Sequence, residues 1–171
     1  SMFSRFFSGE STLTSKANLQ NGIPVVAASS LPNKQASNRT YSIWVYMNTW
    51  RADVNKMIIG RVGDILLYLD SNSSILKCKI KPVATEVANA NGTATALTAG
   101  VVDITNNFPI QKWVLITVAV DSAGVCDYYL DGKLVKSVKT SDTTIASTDA
   151  DQPVQFGSGH DTYIADLKCI T

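Results

Sequence analysis

The chain contains little of the chemistry on which most metal sites and general acid–base sites depend. It has one histidine, His160, and among its 14 acidic residues only two glutamates, at positions 10 and 86. The three cysteines, Cys78, Cys126 and Cys169, are too few and too widely spaced for a zinc site, which takes four closely grouped ligands. An odd number of cysteines also argues against a disulfide scaffold. Because each lies within an apolar run, we interpret them as small buried apolar residues.

Strong charge and long apolar runs are missing as well. The net charge is +1, so the overall balance predicts no nucleic-acid partner. No run of about eighteen apolar residues is present, and the amino terminus lacks the charged-then-apolar pattern of a leader. We therefore predict neither membrane insertion nor a signal peptide in this sequence.

Length and composition predict one folded domain over residues 1–171. With 171 residues, 45% of them hydrophobic, the chain can bury a single core of ordinary size. We interpret Ser1-Met2 as a remnant of cloning, which suggests a domain taken from a longer protein whose other domains are its partners. Residues 1–16 are rich in Ser and Phe and are interpreted either as a docking strand or as a domain-junction segment.

What the chain does contain is short runs of β-branched and aromatic residues separated by turn formers, without sustained helical periodicity. We predict strands at 41–48, 56–62, 64–70, 75–81, 112–121, 125–131, 133–139, 153–157 and 162–170. Residues 83–103, rich in Ala, Thr, Asn and Gly, are predicted to form a long loop or a weak edge hairpin. So many short strands predict an all-β fold, a two-sheet antiparallel β-sandwich of the jelly-roll type.

Two carboxylates four residues apart, Asp127 and Asp131, raise the possibility of a catalytic pair. Asp131-Gly132 lies between two apolar runs, which is a strong signal for a two-residue hairpin turn. In an extended strand the two aspartates are about 13 Å apart, whereas glycosidase carboxyl pairs lie about 5 to 9.5 Å apart. We therefore predict that Asp131 is a turn residue and Asp127 a solvated strand residue.

Four segments in order, YSIWVYMNTW, PIQKWVLITVAVD, CDYYLDGKLVKS and VQFGSGHDTYIADLKC, resemble the concanavalin A-like lectin/glucanase superfamily, of laminin G-like type. The resemblance covers roughly residues 39–170, and the motifs resemble most closely those in domains of virion and surface proteins of large DNA viruses. It implies a jelly roll with ligand bound on the concave face or the rim loops. Members of this superfamily bind glycans, mediate adhesion or degrade polysaccharides, so the fold alone does not define the function.

The hydrolases and the lyases of this superfamily each carry a catalytic motif with which this sequence can be compared. Its hydrolases carry a Glu-x-Asp-x-x-Glu or Glu-x-Asp-x-Glu strand, which two glutamates in unrelated segments do not supply. Its lyases use His and Tyr as base and acid, and the segment from Gln155 to Tyr163 supplies both as His160 and Tyr163, although its glycines indicate a loop. His160-Asp161 is thus either a surface turn or, with Tyr163, part of a lyase site, since a base must reach its substrate proton. His160 and Asp161 are also candidate ligand contacts at the rim.

The strand at 41–48 carries the candidate binding residues. Alternation places Trp44, Tyr46 and Asn48 on one face and apolar residues on the other. Aromatic rings interleaved with hydrogen-bonding groups suit the mixed surface of a sugar, but a Trp in such a strand also fits a core position. Trp50 follows as a possible rim residue, and Trp113 is predicted to lie in the core.

The strand at 75–81 alternates more sharply, with Lys77, Lys79 and Lys81 on one face. These lysines are either a solvated outer face that discourages edge pairing or a seat for an anionic glycan, joined by Arg61 from a neighbouring strand. The resemblance also implies a structural calcium on the convex side, with Asp166 as the one matching ligand out of the six to eight oxygens that calcium takes.

The sequence therefore predicts a module that binds polysaccharide or glycoprotein glycans, within a larger virion or cell-surface protein. The alternatives are a cell-wall polysaccharide hydrolase or lyase on the same fold, and a structural or adhesion module with protein partners.

Overall fold

The structure, a computed structural model, describes residues 10–140, 145 and 147–171. Its strands are β1 (Glu10–Thr12), β2 (Ala17–Asn18), β3 (Arg39–Met47), β4 (Lys56–Arg61), β5 (Ile65–Leu69), β6 (Leu76–Ile80), β7 (Val101–Thr105), β8 (Trp113–Val120), β9 (Val125–Leu130), β10 (Lys133–Lys139), β11 (Gln155–Phe156) and β12 (Thr162–Ile170). One short helix, α1 (Ala84–Asn89), and 3-10 turns at Leu19–Asn21, Ala28–Ser30 and Ser147–Asp149 complete the secondary structure of the described residues.

The strands form two antiparallel sheets. The seven-stranded sheet has the order β1-β12-β3-β8-β9-β10, with β2 also paired to β12, and the five-stranded sheet has the order β11-β4-β5-β6-β7. The predicted all-β jelly-roll sandwich is therefore confirmed, and each predicted strand has its counterpart. Among the described residues no helix is long and apolar enough to span a membrane.

The segment at 83–103 differs from its prediction as a loop or hairpin. It begins with α1, and Val101 to Thr105 form β7, which pairs with β6 at the edge of the five-stranded sheet. At the amino-terminal end of the described residues, β1 pairs with β12. The phenylalanines at positions 3, 6 and 7 lie outside the described residues.

The turn between β9 and β10 has the predicted chemistry. Asp131 and Gly132 have φ values of 51° and 79°, the left-handed conformation that a type I′ hairpin turn requires at both central positions. The Asp131 carboxylate accepts a hydrogen bond from the Leu115 amide at 2.9 Å, and Asp127 accepts one from the Ser137 hydroxyl. Each aspartate therefore has its own local partner.

The hydrophobic core fills the space between the two sheets. Alternate residues of β3, Tyr41, Ile43, Val45 and Met47, are at most 3% exposed and meet the inner faces of the other strands. All three cysteines are buried and carry free thiols, which confirms their interpretation as small core residues.

The two outer faces differ in what covers them. On the five-stranded sheet, Met57, Leu66 and Tyr68 pack under a second cluster formed by Val87, Ala90 and Leu97 of α1 and the segment after it. Strands β4 and β5 are consequently buried along their whole length. Strands β3, β8 and β12 of the seven-stranded sheet instead alternate between buried and partly exposed residues, so their outer side chains are open to solvent.

Arg61 does not join a surface site, and that prediction is wrong. Its side chain is fully buried and pairs with Asp64 at 3.0 Å, while Arg39 and Tyr41 bond to the same carboxylate. Three further N–H groups of Arg61 donate to the main-chain carbonyls of Gln152, Lys34 and Ala150, at 2.7 to 3.0 Å. The side chain therefore anchors the loop before β11 to the hairpin between β4 and β5.

Candidate functional site

The aromatic residues of β3 lie on the open outer face of the seven-stranded sheet. Trp44 is 36% exposed, and Tyr46 and Asn48 are half-buried, whereas Ile43, Val45 and Met47 between them face the core. The alternation predicted for this strand is therefore correct, and neither Trp44 nor Tyr46 is a core residue.

Tyr46 is the centre of an aromatic group that spans three strands. It lies directly opposite Trp113 of β8 on one side and Tyr163 of β12 on the other. The ring centroids of Tyr46 and Trp113 are 5.4 Å apart, and those of Tyr46 and Tyr163 are 6.3 Å apart in an edge-to-face arrangement. We call Trp44, Tyr46, Trp113 and Tyr163 the aromatic surface.

Two members of this surface lie where their predictions did not place them. Trp113 is half-buried on the outer face, so its assignment to the core is wrong. The cause is β8 itself, in which Val114, Ile116 and Val118 take the inward positions and leave the preceding Trp113 outward. Tyr163, considered above for lyase chemistry, is instead a packing partner of Tyr46.

A lysine that no sequence pattern identified stands over the aromatic surface. Lys16, in the exposed segment between β1 and β2, places its Nζ 5.4 Å from the ring centroid of Tyr163 and 5.9 Å from that of Trp113. Both distances are within the range of a cation–π interaction. The contact follows from the pairing of β2 with β12, which sets Asn18 opposite Tyr163.

A polar cluster around Asp161 closes one end of the aromatic surface. The Asp161 carboxylate accepts hydrogen bonds from Asn18 and Asn48 at 2.8 Å and from the Thr49 hydroxyl at 2.9 Å. These bonds lower the pKa of Asp161, with Asn18 contributing most. The carboxylate is thus ionised and hydrogen-bonded by its neighbours, and it connects Asn18 of β2 to Asn48 and Thr49, which follow β3.

A shallow pocket of about 470 Å³ opens beside this cluster, lined by Gln20, Thr49, Trp50, Arg51, His160 and Asp161. Trp50 is partly buried, and the ammonium of Lys56 lies 3.9 Å from its ring centroid. Lys56 also donates hydrogen bonds to the carbonyls of Arg51, Val54 and Asp70, at 2.7 to 2.9 Å. The structure therefore brings the predicted rim residues Trp50 and Asp161 to one pocket.

His160 forms the inner wall of this pocket and is not a surface turn. Its ring is 2% exposed; Nε2 lies 2.8 Å from the Met57 carbonyl oxygen and Nδ1 lies 2.7 Å from the Thr162 hydroxyl. A carbonyl can only accept, so Nε2 donates to Met57 and Nδ1 accepts from Thr162. Burial lowers the pKa of His160 to about 4. Because both nitrogens are engaged and Tyr163 points to the outer face, the two residues do not form the predicted acid–base pair.

The lysines of β6 are each paired with carboxylates of the chain. Lys77 lies 3.3 Å from Asp70 and 4.0 Å from Asp103, and Lys79 pairs with Glu86 of α1. Lys81 lies beyond the strand with a left-handed φ of 56°. The charges of Lys77 and Lys79, predicted to seat an anionic glycan, are therefore paired with carboxylates of the same chain. The pair between Lys79 and Glu86 also holds α1 on the five-stranded sheet.

Asp166, the calcium ligand implied by the resemblance, lies exposed at a bulge of β12 with a φ of 51°. In the part of the chain that the structure describes, no group of three or more His, Cys, Asp or Glu side chains is arranged to hold a metal ion. Asp166 alone supplies one of the six to eight oxygens that calcium takes, and the structural calcium stays a prediction.

Jelly-roll sandwiches of two antiparallel sheets occur in lectin domains and in viral capsid proteins. The chain belongs to the concanavalin A-like lectin/glucanase superfamily, whose family model matches residues 20–167. No curated protein matches the chain by sequence.

Solved structures similar to the chain include binding domains of botulinum neurotoxins. The serotype D ligand-binding domain, solved in complex with N-acetylneuraminic acid, has a TM-score of 0.61 and 16% identity over 93% of this chain and 39% of its own. A second structure is of botulinum neurotoxin type C, whose cell entry is dependent upon interaction with two ganglioside molecules. It has a TM-score of 0.57 and 16% identity over 80% of this chain and 33% of its own. A type DC binding domain in complex with rat synaptotagmin II has a TM-score of 0.54 and 18% identity over 78% and 32%.

These similarities define the fold, since identities this low do not carry ligand contacts from one chain to another. The present chain also spans less than half of each toxin chain. What each toxin domain binds is therefore a property of that larger protein.

Proposed function

We propose that the chain is a carbohydrate-binding module that takes a glycan on the aromatic surface. The observation that carries the proposal is the contiguous set Trp44, Tyr46, Trp113 and Tyr163 on an outer sheet face, with Trp44 36% exposed. Most domains bury such rings, because each removes a large apolar area from water. Here no described element covers them.

The chemistry of the surface suits a sugar. Pyranose rings present patches of C–H groups framed by hydroxyls, so they bind where aromatic faces alternate with hydrogen-bonding groups. Ser42 and Thr117 are neighbours in register on the same face, and Asn48 closes its end. The surface therefore supplies stacking area in the middle and polar groups at its border.

A role in a larger virion or cell-surface protein that recognises host glycans is the setting we propose for this module. The superfamily membership and the complex of one structurally similar toxin domain with N-acetylneuraminic acid support glycan recognition, whereas the virion or cell-surface setting is proposed from the resemblance of the sequence motifs. The polysaccharide-degrading alternative has no described pair of acid and base on the aromatic surface to support it.

The test is glycan binding by the purified chain and by folded variants of the aromatic surface. Trp44→Ala and Tyr46→Ala should each weaken binding about tenfold, a change of about 1.4 kcal/mol, because each removes a stacking face. Val25→Ala is the matched control, since Val25 is an exposed apolar residue outside the surface. Unchanged affinity in both aromatic variants would refute the site, and absence of glycan binding by the unaltered chain would favour the structural or adhesion module. Release of reducing or unsaturated ends from cell walls would instead favour the enzyme.

A further inference from the structure

The lysine over the aromatic surface differs from the lysines that pair with carboxylates. Lys34, Lys77 and Lys79 each have a carboxylate oxygen within 4.0 Å. Lys16 is exposed and has ring contacts only; within the described residues, no salt bridge joins it to a carboxylate. Its charge is therefore available to a ligand that lies on the rings.

Two carboxylates of the same sheet, Asp161 and Asp127, accept hydrogen bonds from neutral side chains and have no lysine partner among the described residues. Asp161, two residues before Tyr163, accepts three hydrogen bonds from its neighbours. Asp127, on β9, accepts a hydrogen bond from Ser137 on β10. Lys168 of β12 lies opposite Ser42 and adds a second cation to this face. The Lys16 ammonium is nevertheless the charge whose contacts with the Tyr163 and Trp113 rings the structure gives, so an anionic group bound beside those rings would lie next to a cation.

We propose that Lys16 makes the aromatic surface selective for acidic glycans, those that carry a carboxylate or a sulfate. This inference rests on the proposed function, and it adds the ligand class. The Lys16 ammonium lies over the Trp113 and Tyr163 rings, 5.9 Å and 5.4 Å from their centroids, so a sugar stacked on the neighbouring Tyr46 and Trp44 would bring its substituents towards it. An anionic substituent there gains a charge-assisted hydrogen bond that a neutral hydroxymethyl group cannot match.

The size of the effect follows from the exposure of the lysine. Ion pairs between solvent-exposed groups contribute modestly, and salt screens them, so we expect a preference of about three- to tenfold for the acidic member of a matched pair. The stacking contribution does not depend on the charge, so neutral relatives bind the same surface more weakly.

The experiment uses immobilised matched pairs: mannan and polymannuronate, galactan and polygalacturonate, lactose and sialyllactose, with sulfated galactan as the sulfate arm. Affinities are measured for the unaltered chain, Lys16→Gln and Lys133→Gln. The last variant is the control, because Lys133 is an exposed lysine at the start of β10 whose loss changes the net charge equally. Lys16→Arg keeps the cation and serves as a second variant should Lys16→Gln fail to fold.

The proposal expects the unaltered chain, Lys133→Gln and Lys16→Arg to prefer acidic members, and Lys16→Gln to bind both members of each pair equally. A preference for the carboxylated pairs alone, or for sulfated galactan alone, identifies which anion the lysine receives. Equal binding of acidic and neutral members by the unaltered chain, or an acidic preference that survives in Lys16→Gln, overturns the inference while the carbohydrate-binding function stands. Failure to bind any glycan overturns both.

Discussion

Lowering the pH from 7 to 5 should destabilise the fold through a single side chain, His160. Its ring is 2% exposed, and burial lowers its pKa from 6.5 to about 4. Between these two values the unfolded chain binds a proton that the folded chain does not, so the stabilisation is complete above about pH 6.5 and is lost as the pH falls towards 4. With about 1.4 kcal/mol for each pKa unit, linkage gives a loss of about 2 kcal/mol between pH 7 and pH 5.

Urea denaturation at the two pH values measures this loss directly. The chain is favourable for the experiment because it has one histidine, and because the lowered pKa values of Asp70 and Asp161 move their effects to more acidic solutions. The variant His160→Gln should start from a lower free energy of unfolding at pH 7, since its side chain replaces a ring that fills its site. It should nevertheless lose almost nothing further at pH 5. A pH-independent free energy of unfolding in the unaltered chain, or an equal loss in His160→Gln, would refute the reasoning.

Two further predictions concern Gly157 and Lys56, which lie beside the pocket and position its lining residues His160 and Trp50, and both are checked by thermal or urea unfolding. Gly157→Ala should cost about 3 kcal/mol, because a Cβ there would lie 1.7 Å from the Met57 carbonyl oxygen, and a loss below about 1 kcal/mol would contradict this close approach. Lys56→Met should also cost about 3 kcal/mol by leaving main-chain carbonyls without their donor, whereas Lys34→Met, which removes an exposed pair with Asp151, should cost at most about 1 kcal/mol. Equal losses in the two lysine variants would count against the role given to Lys56.

The strands and the main hairpin could be predicted from sequence because their signals are local. Alternation in β3 depends only on neighbouring residues, and it placed Trp44 and Tyr46 on the correct face. The Asp131-Gly132 turn follows from the positive φ that both positions adopt. Prediction of β8 was harder, because apolar residues occupy both of its faces and Trp113 could not be assigned to either by polarity alone.

The remaining parts of the site depend on contacts between distant parts of the chain. Lys16 reaches Tyr163 only because β2 pairs with β12, and no spacing in the sequence encodes that distance. His160, which follows Gly157 and Gly159, resembles a loop residue, yet Gly157 allows the main chain to approach Met57 so closely that the ring becomes buried. Arg61 is buried for a similar reason, since its partners come from residues 64 and 150, on two separate segments.

The contrast between the two outer faces connects the fold to the proposed function. The five-stranded sheet uses α1 and the segment after it to bury Tyr68 and its apolar neighbours, so the chain has the means to cover an outer face. On the seven-stranded sheet the described residues leave Trp44, Tyr46, Trp113 and Tyr163 half-buried or exposed, and they place a lysine at the border instead of a covering helix. Burial of apolar surface contributes about 25 cal/mol per Å² to stability. The exposed parts of these rings do not contribute this free energy to folding. A ligand that stacks on the rings would gain this free energy by covering them. An anionic group on the same ligand would also pair with the Lys16 ammonium. Under the proposed function, the seven-stranded face is therefore the surface on which a bound glycan would remove apolar area from water.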